Sequence, residues 1–187
     1  MSNAVSALNG KTATGPVTVQ ELGLTGMVTL RGDFEDEGFA AAVTQLTGLQ
    51  LPDVRQFQTD GVKTVLWMSP DELLVVLPYA EVNAFVSAMN DALAGSHYLV
   101  ANVSDARAIF SVSGEFATEV LGKNAPVDFE ASQFVAGMVR RSRVGQVAAA
   151  YWKLDDGSFR VVCFRSVAEY VFGLIATSAK AGPVGVY

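Results

Sequence analysis

The sequence predicts an α+β fold built from two similar β-α-β-β-α units, with antiparallel or mixed sheets and flanking helices. Three observations predict it. Short β-rich runs alternate with segments of helical periodicity. Two strand pairs are joined by tight turns, which pair strands antiparallel. The second half also repeats the first: Trp67 and Trp152, Arg55 and Arg140, Asp71 and Asp156, Val82 and Val167, and Val86 and Val171 each differ by 85, and Gly32-Asp33-Phe34 and Gly114-Glu115-Phe116 differ by 82.

In chain order, Met27 to Arg31 reads as a strand ended by Gly32-Asp33. A helix follows from Glu35 to Leu46, with Phe39, Val43 and Leu46 at helical spacing and Asp33 as its expected N-cap. Val62 to Trp67 and Glu72 to Leu77 form a hairpin across Met68-Ser69-Pro70-Asp71. Glu81 to Leu93 is an amphipathic helix with Val82, Phe85, Val86, Met89 and Leu93 on one face, and Tyr98 to Val103 is a strand. The order then returns. Ala108 to Val112 is a strand ended by Ser113-Gly114, and Glu115 to Gly122 is a short helix. Val147 to Lys153 and Phe159 to Phe164 form a hairpin closed by Asp156-Gly157, and Val167 to Ser178 is the last helix, with Tyr170, Val171, Leu174 and Ile175 as its apolar stripe. Residues 1–20, small and polar, read as a flexible leader. Residues 21–180 read as one domain with an internal duplication (about 27–95 and 105–180), and residues 181–187 as a tail.

Composition narrows the class. Of 187 residues, 50% are hydrophobic and only 17% charged, with mean hydropathy +0.31. The apolar runs are far shorter than the ~20 residues of a spanning helix. More apolar residue than one core uses implies a surface meant for a partner, or for a copy of the chain when it is isolated. Thirteen Lys and Arg against nineteen Asp and Glu give a net charge of -6, the opposite of a nucleic-acid binder. A lone cysteine cannot form an internal disulfide, and no signal peptide is evident, so a cytoplasmic location is expected.

The single histidine and single cysteine leave no cluster for zinc or a redox metal, and no dinucleotide or phosphate loop is present. His97 reads as a loop residue and Cys163 as a core strand residue. Two polar groups remain as candidates. Arg140, Arg141 and Arg143 form a basic run: an anion or folate site, an acidic partner's contact, or the charged edge of a sheet. Asp105 and Arg107, two apart on an expected strand, share one face; they form an ion pair, touch a partner, or hold a ligand carboxylate.

The segment Ser104 to Gly114, continuing through Phe116-Ala117-Thr118-Glu119-Val120-Leu121, resembles the strand, Ser-Gly, Val-Leu helix signature of the aminomethyltransferase superfamily. Together with Val28 to Asp33, Leu66 to Leu74 and Phe164 to Tyr170, it is more specifically similar to the gamma subunits of heterotetrameric sarcosine oxidase, from about Val28 to Ser178. The resemblance implies a folate-binding aminomethyltransferase-like domain. It implies a non-catalytic subunit in a complex that oxidatively demethylates sarcosine to glycine, with formaldehyde or methylene-tetrahydrofolate and hydrogen peroxide as the other products. No cofactor is expected on this chain; FAD, FMN, NAD, zinc and tetrahydrofolate belong to the partners. The alpha subunit is implied as the chief partner, with beta and delta. A stand-alone folate-binding one-carbon transfer domain, or the equivalent subunit of a related N-methyl amino acid dehydrogenase, is the alternative.

Overall fold

The computed structural model describes residues 4–185. Its strands and helices in chain order are β1 (Thr12–Ala13), β2 (Thr18–Glu21), β3 (Thr25–Arg31), α1 (Glu37–Thr47), β4 (Phe57–Thr59), β5 (Thr64–Ser69), β6 (Glu72–Pro78), α2 (Val82–Ala92), β7 (Leu99–Asn102), β8 (Arg107–Ser113), α3 (Ala117–Gly122), β9 (Val139–Val144), β10 (Val147–Lys153), β11 (Phe159–Phe164) and α4 (Ala168–Ala181). They fall into two compact units: a middle unit of residues 25–104, and a terminal unit of residues 105–187 together with residues 1–24. Every strand pairing among the described residues is antiparallel.

The middle unit is a five-stranded sheet of order β4-β5-β6-β3-β7. Alternation turns Val28, Leu30, Val65, Leu73, Val75 and Leu77 to one face, where they pack with Phe39 and Val43 of α1 and Val82, Phe85 and Met89 of α2. Helix α1 begins one turn later than the acidic run predicts. Asp36 sits in extended backbone and accepts from the amides of Gly38 (2.7 Å) and Phe39 (3.4 Å), which is what an N-cap must do. Asp33 accepts only from Glu35 N, in a local turn before the helix (2.9 Å).

The terminal unit is a six-stranded sheet of order β1-β2-β8-β11-β10-β9. Phe110, Val112, Tyr151, Phe159, Val161 and Cys163 face Val120 and Leu121 of α3 and Val171, Phe172 and Ile175 of α4. The segment between α3 and β9 contributes Phe129 and Phe134, both fully buried; the Phe129 ring lies 5.4 Å from Tyr151 and 5.6 Å from Phe159. In α4 the buried stripe is Ala168, Val171, Phe172, Ile175 and Ala179, while Tyr170 is 43% exposed.

Read from β4 and from β9, the two sheet orders match strand for strand: β4 corresponds to β9, β5 to β10, β6 to β11 and β3 to β8. The fifth place is filled by β7 in the middle unit and by β2 in the terminal unit. This corrects the expectation of a flexible leader over residues 1–20, of which residues 1–3 lie outside the described residues. Val17 and Val19 are 1% and 0% exposed, and β2 pairs with β8 over four residues. The strand beside β8 is thus drawn from residues 18–21, ahead of the middle unit in the chain. Gly114 makes room for it: a Cβ there would stand 2.6 Å from Pro16 O.

The register also corrects the 85-residue offset. Trp67 pairs with Leu73 on β6, and Trp152 pairs with Arg160 on β11. Val65 and Tyr151 lie on the helix-packed faces of their sheets, as does Trp67, whereas Trp152 lies on the opposite face. The residue matching Trp152 in both pairing and burial is Leu66, 86 positions earlier; both are buried. The helices agree, since the buried Val82, Phe85 and Met89 of α2 correspond in spacing to the buried Ala168, Val171 and Ile175 of α4, each 86 positions later. Arg55 consequently matches Gly137 rather than Arg140: both have positive φ (63° and 86°), and the next residue's amide bonds back three positions in each case (Gln56 N to Asp53 O, Met138 N to Val135 O).

Candidate functional site

Strand β9 is an outer strand of its sheet and carries all three arginines of the basic run. The strand splits them. Arg140 pairs with Tyr151 and lies on the helix-packed side, where its guanidinium sits 5.5 Å from the Phe134 ring and donates to Val139 O (2.9 Å). Arg141 and Arg143 pair with Ala150 and Ala148 and are exposed on the other side. The three arginines therefore do not converge on one point, since Arg140 lies on the opposite face from Arg141 and Arg143.

Asp105 is not on a strand. It is exposed within a 3-10 turn, Ser104–Ala106, and only Arg107 enters β8, so the shared strand face expected of this pair does not form. Arg107 pairs across the sheet with Phe164, with its guanidinium 5.5 Å from the ring, and Phe164 is 51% exposed. Arginine and aromatic side chains are both enriched at protein interfaces. Sequence patterning does not single out Phe164, because it alternates in phase with the buried Val162 at the end of the same strand.

By alternation, the side of this sheet opposite α3 and α4 carries Arg107, Arg141, Arg143 and Arg160 together with the buried Ile109, Val139, Trp152 and Val162. Arg160 is held in place: its guanidinium donates to Ser111 Oγ (2.9 Å) and Ser158 Oγ (3.2 Å). Ser158 in turn donates through Oγ and N to Asp156 (2.6 and 2.9 Å), and these bonds hold the Asp156 carboxyl below the usual range. Burial lowers the Arg160 pKa and the Asp156 charge opposes that shift.

Cys163 is 2% exposed, and burial pushes its thiol up to about 12, so at neutral pH it carries no nucleophilic thiolate. His97 is exposed in the loop between α2 and β7. Among the described residues no group of three or more His, Cys, Asp and Glu stands together to hold a metal ion, and no helix is long and apolar enough to cross a membrane. Two shallow clefts, of about 390 and 450 Å³, flank the outer face of α4 at Gly173 and Thr177.

The model of the sarcosine oxidase, gamma subunit family matches residues 31–181. The chain belongs to this family. Two curated relatives agree. The sarcosine oxidase subunit gamma of Corynebacterium sp. (strain P-1) is 28% identical over 170 residues, covering 89% of this chain and 81% of the relative. That of Arthrobacter sp. is 28% identical over 162 residues, covering 85% and 77%. Among solved structures, a chain of heterotetrameric sarcosine oxidase from Corynebacterium sp. U-96, in complex with pyrrole 2-carboxylate, matches with a TM-score of 0.82 and 25% identity over 91% of this chain and 88% of that one. The glycine cleavage system aminomethyltransferase T of Bartonella henselae shares the fold alone: TM-score 0.62 and 9% identity over 83% of this chain and 44% of that one.

Proposed function

We propose that this chain is the non-catalytic gamma subunit of a heterotetrameric sarcosine oxidase, an assembly that oxidatively demethylates sarcosine to glycine. The observation that carries this is the family match over residues 31–181, supported by a fold likeness that spans 91% of the chain. On this reading, formaldehyde or methylene-tetrahydrofolate and hydrogen peroxide are the other products. FAD, FMN, NAD, zinc and tetrahydrofolate are held by the alpha, beta and delta subunits, and alpha is the chief partner, in the cytoplasm. The two units descend from one β-α-β-β-α ancestor, which accounts for the matching strand orders. Arg140 has a packing role against Phe134. Arg141 and Arg143, with the turn at Asp105 and Arg107, are contacts to the assembly rather than a folate site.

Co-expression with the other three subunits tests the reading. Affinity capture of this chain is expected to recover the flavin-containing assembly with sarcosine-dependent oxygen uptake. Recovery of the chain alone, while the other subunits assemble and turn over sarcosine without it, contradicts the proposal.

A further inference from the structure

The sheet of the middle unit ends on β7, and no strand among the described residues pairs with its outer side. Val103 N donates to Met27 O (2.9 Å). Bonded and non-bonded pairs alternate in an antiparallel ladder, so this bond and the register place Ala101 with Thr29, and Leu99 with Arg31, in bonded pairs. Val100 and Asn102 therefore turn their N–H and C=O groups outward.

The terminal unit has the same arrangement in β2. Leu22 N donates to Ile109 O (3.0 Å), so Val19 and Glu21 face away from β8. There the outward groups are taken up: Glu21 N donates to Lys11 O (2.9 Å), and β1 pairs Ala13 with Val19. What β1 does for β2, nothing described does for β7.

The other outer strands carry the usual protections. Strand β9 has three arginines in six residues, β4 is three residues long, and β1 is two. Strand β7 has none of these. From Ala92 to Ser104 the chain contains no Asp, Glu, Lys or Arg, and Leu99 is 48% exposed. An uncharged, apolar open edge is a template for strand addition.

We propose that β7 is completed by an extended strand from another subunit of the assembly, uncharged where it pairs, bearing an apolar side chain beside Leu99 and Lys or Arg next to the pairing stretch. Charge selects this occupant over a second copy. Residues 25–104 hold ten Asp and Glu against three Lys and Arg, so two copies joined at β7 would bring two strongly acidic units together, whereas a basic flank is attracted. The inference rests on the assembly proposed above.

Amide hydrogen exchange of the co-expressed assembly, compared with the isolated chain, tests it. Val100 and Asn102 amides are expected to slow by about tenfold or more on assembly, while Leu99 and Ala101, already bonded to β3, change little. Leu99→Lys is expected to lower recovery of the partner subunits, as is Val100→Pro, which removes an outward N–H and leaves the ladder to β3 intact. Val62→Lys, at a position 65% exposed in the β4–β5 loop, is the control and leaves recovery unchanged. If the assembly forms with Val100 and Asn102 still exchanging fast, the inference is wrong and the proposed function stands. If these amides are protected in the isolated chain, within a dimer, the occupant is a second copy and the inference is also wrong. If no assembly forms, both fall.

Discussion

The fifth strand separates the two units. In the terminal unit, β2 is drawn from the far end of the chain, seats Val19 at 0% exposure, and is itself covered by β1. In the middle unit, β7 follows α2 directly, leaves Leu99 48% exposed, and stays an edge. Charge divides them in the same way, since the middle unit holds ten acidic residues against three basic ones while the terminal unit holds nine against ten. Two sheets of one strand order can thus serve different ends. One is closed within the chain, and the other keeps a side open for a neighbour.

The largest expected effects lie at this strand. Val19→Asp buries a lone carboxylate in the terminal core and is expected to cost on the order of 4 kcal/mol in urea denaturation. Val100→Asp, at a half-buried position, is expected to cost no more than about 2 kcal/mol. Equal costs would break the distinction between the two strands. The tryptophans give a second contrast. Trp152 is 2% exposed and Trp67 only partly buried, so Trp152→Ala is expected to cost about 4 kcal/mol and Trp67→Ala about 2 kcal/mol. Equal losses would restore the 85-residue equivalence.

Smaller effects sharpen the match between the units. Asp36→Ala is expected to cost about 1 kcal/mol by removing the α1 cap, against about 0.3 kcal/mol for Asp33→Ala. Gly137→Ala forces a side chain into left-handed backbone with open space around it, and is expected to cost about 1 kcal/mol. At the matching position, Arg55→Gly is expected to stabilise the chain by about 0.5 kcal/mol, because the arginine already bears that strain. Thermal melts of both variants check the pair, and a stabilising Gly137→Ala would contradict the match.

Both hairpins and the helices α2 and α4 are legible in the sequence because their signals are local: turn residues between β-rich runs, and apolar spacing within one helix. Strands β1 and β2 are not. They are two and four residues long, lie among glycines and a proline, and gain their stability from β8, about ninety residues away. Strand β4 is too short to show a period, and in β9 the arginines mask one. The candidate residues are legible as residues but not as a site. Whether Arg140 shares a face with Arg143 depends on knowing that β9 is a strand, and Asp105 leaves the face of Arg107 because one 3-10 turn intervenes. The tryptophan match shows how fine the margin is, since an error of one residue moves a side chain to the opposite side of a sheet.

Amide exchange of the isolated chain tests the contrast between the two edges most directly. Val19 and Glu21, bonded to the β1 segment, are expected to be protected, while Val100 and Asn102, at the same ladder positions in the other sheet, exchange at rates close to those of an open strand. Equal protection at the two pairs of sites in the monomer would contradict the account.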